Sequence, residues 1–188
     1  MPRKKTASDD DVLDAANAVL AEAGSTNFTL ADVARKVALS RAALIQRFDN
    51  RETILRMMAE REVVATKAYL ASIPIEQGLD GLWRFLREII DSMGSGEGFS
   101  VRILIAFMES REAALRACAA ERYRLVQEAI ALRLPDVADR DELALHLHAV
   151  IAGATMQWVA TQEGDLSAYV RRRAAEAIMI RFPDFVAA

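Results

Sequence analysis

A chain of 188 residues that is 53% hydrophobic and 27% charged has a globular balance, which excludes an intrinsically disordered chain and a membrane-spanning one. With only 8 Gly and 4 Pro it lacks the turn punctuation of sandwiches and barrels, so an all-helical fold is expected. The formal net charge of −3 argues against nucleic acid only if charge is evenly spread, and it is not: residues 1–56 hold nine Lys/Arg against eight Asp/Glu, whereas 57–188 hold fifteen against nineteen.

In chain order, residues 9–23 place Val12, Ala16, Val19, Leu20 and Ala23 at helical spacing, with Ser8 as N-cap and Asp9, Asp10 and Asp11 at the positive helix end. Gly24 supplies the stop. A short helix follows Thr29, whose hydroxyl caps it and whose capping box is closed by the short carboxylate of Asp32. The pattern breaks at Ala38 and Leu39, Ser40 offers another N-cap, and a helix runs from Arg41 to about Phe48. A turn at Asp49 and Asn50 leads into a longer helix over about 51–72, ended by Pro74. Residues 81–93 set Leu82, Trp83, Phe85, Leu86, Ile89, Ile90 and Met93 opposite Arg84, Arg87, Glu88 and Asp91, an amphipathic core helix. Gly94, Gly96 and Gly98 follow a helix rather than a strand, so they read as a loop and not as a phosphate cradle. Residues 100–109 are apolar nearly all round and are expected in the interior. Further helices are expected at about 112–133, 140–163 and 166–182, giving about nine in all.

The functional signal lies in the two short helices 29–37 and 40–48, joined by a tight turn. Val33, Ala34, Val37, Leu39, Leu44 and Phe48 form a miniature core, which leaves Arg41, Ala42, Ile45 and Gln46 outward on the second helix. Small residues at Ala42 and Ala43 let that helix approach bases and thymine methyls, Arg41 can pair with guanine, and the helix start at Ser40 suits a phosphate. Between Asp32 and Arg51 there are five basic residues against two acidic ones, and Arg3, Lys4 and Lys5 form a separate basic tip. An ordinary helical hairpin in a non-DNA-binding adaptor accommodates the same pattern.

Enzymatic readings find no foothold. His146 and His148 are two apart on a helix and cannot clamp one metal, Cys118 has no sequence partner to activate it, and no nucleophile–base pair stands out. No catalytic residue, metal or cofactor is therefore expected. Nothing near Met1 has the apolar core of a signal peptide, and one cysteine excludes an internal disulfide framework, so a cytoplasmic protein is expected.

Residues 12–55 resemble the DNA-binding domain of TetR-type transcriptional regulators, through Gly24, Thr29, Val33, Ala34, Ser40, Leu44, Phe48, Arg51 and Leu55. Two positions depart from the family pattern: Ala38 stands where Gly is usual in the turn, and Ile45 where Tyr is usual on the second helix. The resemblance implies a DNA-binding domain over 1–52 and an effector-binding and dimerisation domain over 53–188. It implies phosphate contacts from Thr29, Ser40, Arg47 and Arg51, and base reading by Arg41, Ala42, Ile45 and Gln46. The partners so implied are double-stranded DNA, a second copy of the chain and a small-molecule effector, with no membrane. Trp83, Phe99, Phe107, Met108, Tyr123, Gln127, Met156 and Trp158 are the candidate effector-lining residues. Dimerisation is expected through Leu143, Leu147, Val150, Ile151, Ala154 and Trp158, with the small residues Ala149, Ala152 and Gly153, together with Leu166, Val170, Ala174, Ala177 and Ile178.

Overall fold

A computed structural model describes residues 7–94 and 112–187. The described residues form eight helices and no strand: α1 (Asp9–Asn27), α2 (Leu30–Lys36), α3 (Arg41–Phe48), α4 (Arg51–Ser72), α5 (Leu79–Asp91), α6 (Ala113–Ala131), α7 (Arg140–Thr161) and α8 (Leu166–Arg181). The helix expected at 100–109 lies outside the described residues, as does the basic tip Arg3–Lys5. Chain contacts divide the described residues into two units, 7–64 with 112–119 and 65–94 with 120–187, so the division falls inside α4 and α6.

In the first unit the helix ends follow their caps. The Ser8 hydroxyl accepts from the Asp11 amide at 3.1 Å while the Asp11 carboxylate accepts from the Ser8 amide at 2.7 Å, a complete capping box. Gly24, at φ 71°, interrupts α1 where the sequence places its stop, although helical structure resumes through Asn27. Thr29 caps α2 by accepting from the Asp32 amide at 3.2 Å, and Ser40 caps α3 by accepting from the Ala43 amide at 3.0 Å. The Asp32 carboxylate receives the Thr29 hydroxyl at 2.5 Å rather than closing a box on the backbone. Between α2 and α3 the amide of Ala38 donates to the Arg35 carbonyl and that of Leu39 to the Ala34 carbonyl, a Schellman closure with Ala38 at φ 54°. Val33, Ala34, Leu44 and Phe48 are buried against Val12, Ala16, Leu20, Phe28, Ile54 and Leu55, while Val37 and Leu39 pack at the edge. At about 25 cal/mol per Å² of buried apolar surface, this small core is what fixes how α2 and α3 cross.

The second unit closes around Leu82, Phe85, Leu86, Ile90, Ile130, Leu134, Leu147, Ile151, Val170, Ala174 and Ile178. α5 inserts its apolar face here and keeps Arg84, Glu88 and Asp91 in solvent, as its spacing predicts. Its first turn lies so close to the preceding loop that a Cβ on Gly81 would sit 2.1 Å from the Glu76 carbonyl oxygen, so only glycine fits. Among the described residues Arg133 is the one charged side chain of this core, with 1% exposure. Its guanidinium donates to the carbonyls of Ile73 (2.7 Å), Pro74 (2.9 Å) and Ala129 (2.8 Å) and lies 4.0 Å from the Phe85 ring centroid. The Arg133 carbonyl in turn accepts from the Gly78 amide at 3.0 Å. Burial lowers the Arg133 pKa, but a guanidinium remains charged at any physiological pH.

The expected dimer surface is corrected in part. Leu143, Leu147, Ile151 and Ala154 of α7, and Leu166, Val170, Ala174, Ala177 and Ile178 of α8, are buried in the subunit's own core and are not available to a partner, whereas Val150, Ala152 and Trp158 are half-buried and Ala149 and Gly153 are exposed. Apolar side chains stand instead on the other face, with Leu145 51%, Met156 50%, Met179 40% and Ile180 84% exposed. α7 carries apolar side chains on its outer face too: an 18-residue stretch of it has a mean hydropathy of 1.3 and would suit a membrane span, yet the helix contributes a full stripe to a globular core.

Candidate nucleic-acid interface

The interface is built on α3, eight residues capped at one end by Ser40 and ended by Asp49 at φ 67°. Leu44 and Phe48 face inward, four apart on one helical stripe, and their burial forces the intervening positions outward. Arg41, Ala42, Gln46 and Arg47 are exposed, and Ile45 is 37% exposed. The outward row thus combines a guanidinium, a methyl, a carboxamide and a branched alkyl group. These are the chemistries that read guanine, thymine methyl and adenine edges in a major groove.

The cations around this helix are engaged to different degrees. Arg35 pairs with Asp32 at 2.9 Å and Lys36 with Glu22 at 2.8 Å. Arg51 lies 5.3 Å from the Phe28 ring centroid. Arg47 donates to the Ala7 carbonyl at 2.5 Å, forms an ion pair with Asp9, and stacks 5.2 Å from the Phe48 centroid. Arg41 makes no hydrogen bond or ion pair among the described residues, and neither does Gln46. The Thr29 hydroxyl has its proton committed to Asp32, whose carboxyl is held below its ordinary range by that hydrogen bond and, more weakly, by Arg35. In the sequence, Asp9, Asp10 and Asp11 read only as helix-end charges. Asp9 also reaches α3, and Asp10 (3.6 Å) and Asp14 (2.8 Å) both reach Arg61 on α4.

Residues 12–58 match the family model described as bacterial regulatory proteins, tetR family. They form a tetR-family domain. Its model spans α2, α3 and the turn between them, so the helix-turn-helix geometry described above is the family's own element. The fold beyond this domain is also shared with solved structures. A transcriptional regulator from Rhodococcus sp. Rha1 is 14% identical with a TM-score of 0.79, over 96% of this chain and 100% of the other. A member of TetR family from Streptomyces coelicolor A3 is 19% identical with a TM-score of 0.73, over 89% and 96%. The multidrug binding protein EbrR, solved with imidazole, is 22% identical with a TM-score of 0.68, over 90% and 93%. No curated protein matches the chain in sequence. The tetR family is one of regulatory proteins, and among the described residues no group of three His, Cys, Asp or Glu side chains could hold a metal ion.

Outside the tetR-family domain, the candidate effector-lining residues are scattered in their environments. Trp83 is buried with its ring edge-on to Phe185 at 5.7 Å, and the Trp158 indole donates to the Gly164 carbonyl at 3.1 Å. Gln127 is half-buried, Met156 and Tyr123 are exposed, and the Tyr123 ring lies 5.0 Å from that of His148. Phe99, Phe107 and Met108 lie outside the described residues.

Proposed function

We propose that the protein is a ligand-responsive transcriptional repressor that binds a palindromic operator as a homodimer and is released by a small-molecule effector. Residues 1–52 serve DNA binding, and 53–188 serve effector binding and dimerisation. The observation that carries the reading is the unengaged, outward pair Arg41 and Gln46 on a helix whose other face is anchored by Leu44 and Phe48. Arg41, Ala42, Ile45 and Gln46 are assigned to base edges, and Thr29, Ser40, Arg47 and Arg51 to backbone phosphates. Of the phosphate set, Ser40 retains a hydroxyl proton at a helix start, and Thr29 does so only by releasing Asp32. Ile45 brings no donor, so its contact is apolar, with a thymine methyl as the fitting partner.

An eight-residue helix contacts few base pairs, which favours two copies reading half-sites about 34 Å apart. The exposed row Leu145, Ala149, Gly153 and Met156 on α7 supports that pairing. A Cβ at Gly153 would meet nothing within 4 Å, so a second helix can approach there closely. A small effector is supported by the likeness to EbrR, which has also been solved with malachite green and with ethidium. Trp83, Gln127, Trp158 and the remaining effector-lining candidates keep that assignment in the second domain. DNA as the partner implies a cytoplasmic protein.

The test is enrichment from a random duplex library. The expected result is a palindromic sequence for the parent and loss of preference at one base pair per half-site for Arg41→Ala, with Kd weakened by about 1–3 kcal/mol at the preferred site. No enrichment by the parent, or equal weakening on every duplex for Arg41→Ala, overturns the assignment. Sedimentation of a monomer at micromolar concentration overturns the dimer.

A further inference from the structure

We infer that Asp9 is an internal competitor for DNA phosphate, holding Arg47 of the recognition helix in an ion pair that the nucleic-acid backbone must displace. The inference rests on the DNA-binding reading above and adds an affinity-setting residue to it. Its basis is how Arg47 is held. Arg47 projects from the last turn of α3, the helix whose outward row is assigned to the groove, and its side chain is 32% exposed. One terminal nitrogen donates to the Ala7 carbonyl and the other pairs with the Asp9 carboxylate, whose side chain is 55% exposed. A guanidinium presents five N–H donors in a fixed fork, and an anion seeking two of them in parallel meets the carboxylate already in place. A phosphate diester oxygen seeks the same terminal nitrogen that one Asp9 oxygen holds, so the two anions compete for that side of the fork.

The competition is decided by screening rather than by burial. Both groups are open to water, so the internal pair is weak enough to be displaced yet strong enough to reduce the gain from the phosphate contact. Asp9 is the first residue of α1, where its charge also favours the helix end. Once displaced, it leaves a carboxylate close to the incoming backbone. The expected cost to binding is sequence-independent, because phosphate contacts carry register and not base identity. Asp10 provides an internal control: it sits one residue along the same helix start and carries the same charge, but pairs with Arg61 on α4.

The experiment measures fluorescence anisotropy of a short mixed-sequence duplex across a salt series, for the full-length parent, Asp9→Asn, Asp10→Asn, Arg47→Ala and Asp9→Asn combined with Arg47→Ala. Circular dichroism establishes that each is folded. Asp9→Asn is expected to tighten binding by about two- to fivefold at low salt, with a gain that shrinks as salt rises, because screening already weakens the internal pair in the parent. Asp10→Asn should have a smaller effect, and once Arg47 is alanine Asp9→Asn should gain no more than Asp10→Asn does in the parent. Unchanged binding by Asp9→Asn, an equal gain from Asp10→Asn, or an equal gain in the Arg47→Ala background would each overturn the inference. Failure of the DNA-binding reading looks different: the parent itself would show no salt-dependent binding to any duplex.

Discussion

Replacing Ala38 by glycine is expected to stabilise the protein. Ala38 closes the turn between α2 and α3 at φ 54°, where its Cβ crowds the backbone, and its side chain is exposed, so the lost methyl buries nothing. Holding an L-residue in the left-handed region costs about 1–2 kcal/mol. Glycine relieves that strain but gives the unfolded chain more freedom, worth about 0.5–1 kcal/mol. The net expectation is a gain of up to about 1.5 kcal/mol, centred near about 0.75 kcal/mol, or roughly 1.5–3 °C in Tm at that centre for a chain of this length. Both closing hydrogen bonds, from Ala38 to the Arg35 carbonyl and from Leu39 to the Ala34 carbonyl, are backbone contacts that glycine keeps. The assay is thermal unfolding followed by circular dichroism at fixed protein concentration, with Ala38→Val as the opposing variant, since a β-branched residue tolerates positive φ least. A glycine variant that melts at or below the parent, or a valine variant that matches it, would refute the strain argument.

Arg133→Met should destabilise by about 2–4 kcal/mol despite its similar bulk, because the buried carbonyls of Ile73 and Ala129 and the part-buried one of Pro74 lose their donor; chemical denaturation measures this, and an unchanged midpoint would refute it. His148 is pushed down to about 4 by burial, so it stays neutral in the folded state while the unfolded chain takes up a proton below about 6.5. Stability therefore falls as pH drops from about 6.5 towards 4, by about 2 kcal/mol between pH 7 and 5 from this group alone, and His148→Gln should remove that part of the slope. Denaturant midpoints of the parent and of His148→Gln over this range test it, since the carboxyls of Asp32 and Asp139, held low by their hydrogen-bond partners, are common to both and cancel in the comparison.

Much of this fold is written in local chemistry. Ser8, Thr29 and Ser40 each cap the helix that follows them, because a hydroxyl three residues ahead of an amide needs no tertiary context to find it. The inner stripe of α3 is equally legible, since Leu44 and Phe48 are four apart. The departure at Ala38 leaves the turn intact because two backbone hydrogen bonds and the packing of Leu39 outweigh one strained residue. Periodicity fails on α7, where both faces carry apolar side chains: spacing identifies a stripe containing Leu147 and Ile151 but not whether it meets its own core or another chain. Arg133 is illegible for a different reason. A lone arginine after an amphipathic helix reads as solvated, and its acceptors are carbonyls that no residue type announces. The pair of Asp9 with Arg47 joins two helices distant in sequence, and an acidic run at a helix start already has a sufficient local explanation.

The carbonyl cage around Arg133 has a bearing on how the two units respond to their surroundings. Its acceptors carry no proton to lose and the cation is shielded from bulk ions, so neither acid nor salt loosens it within the ordinary range. The pairs Asp9–Arg47, Asp10–Arg61 and Asp14–Arg61 lie in water, and each fades as ionic strength rises. Ionic conditions therefore act unevenly along this polypeptide: concentrated electrolyte softens the ties of α1 to α3 and α4, while the knot holding the end of α4 to the end of α6 keeps its grip.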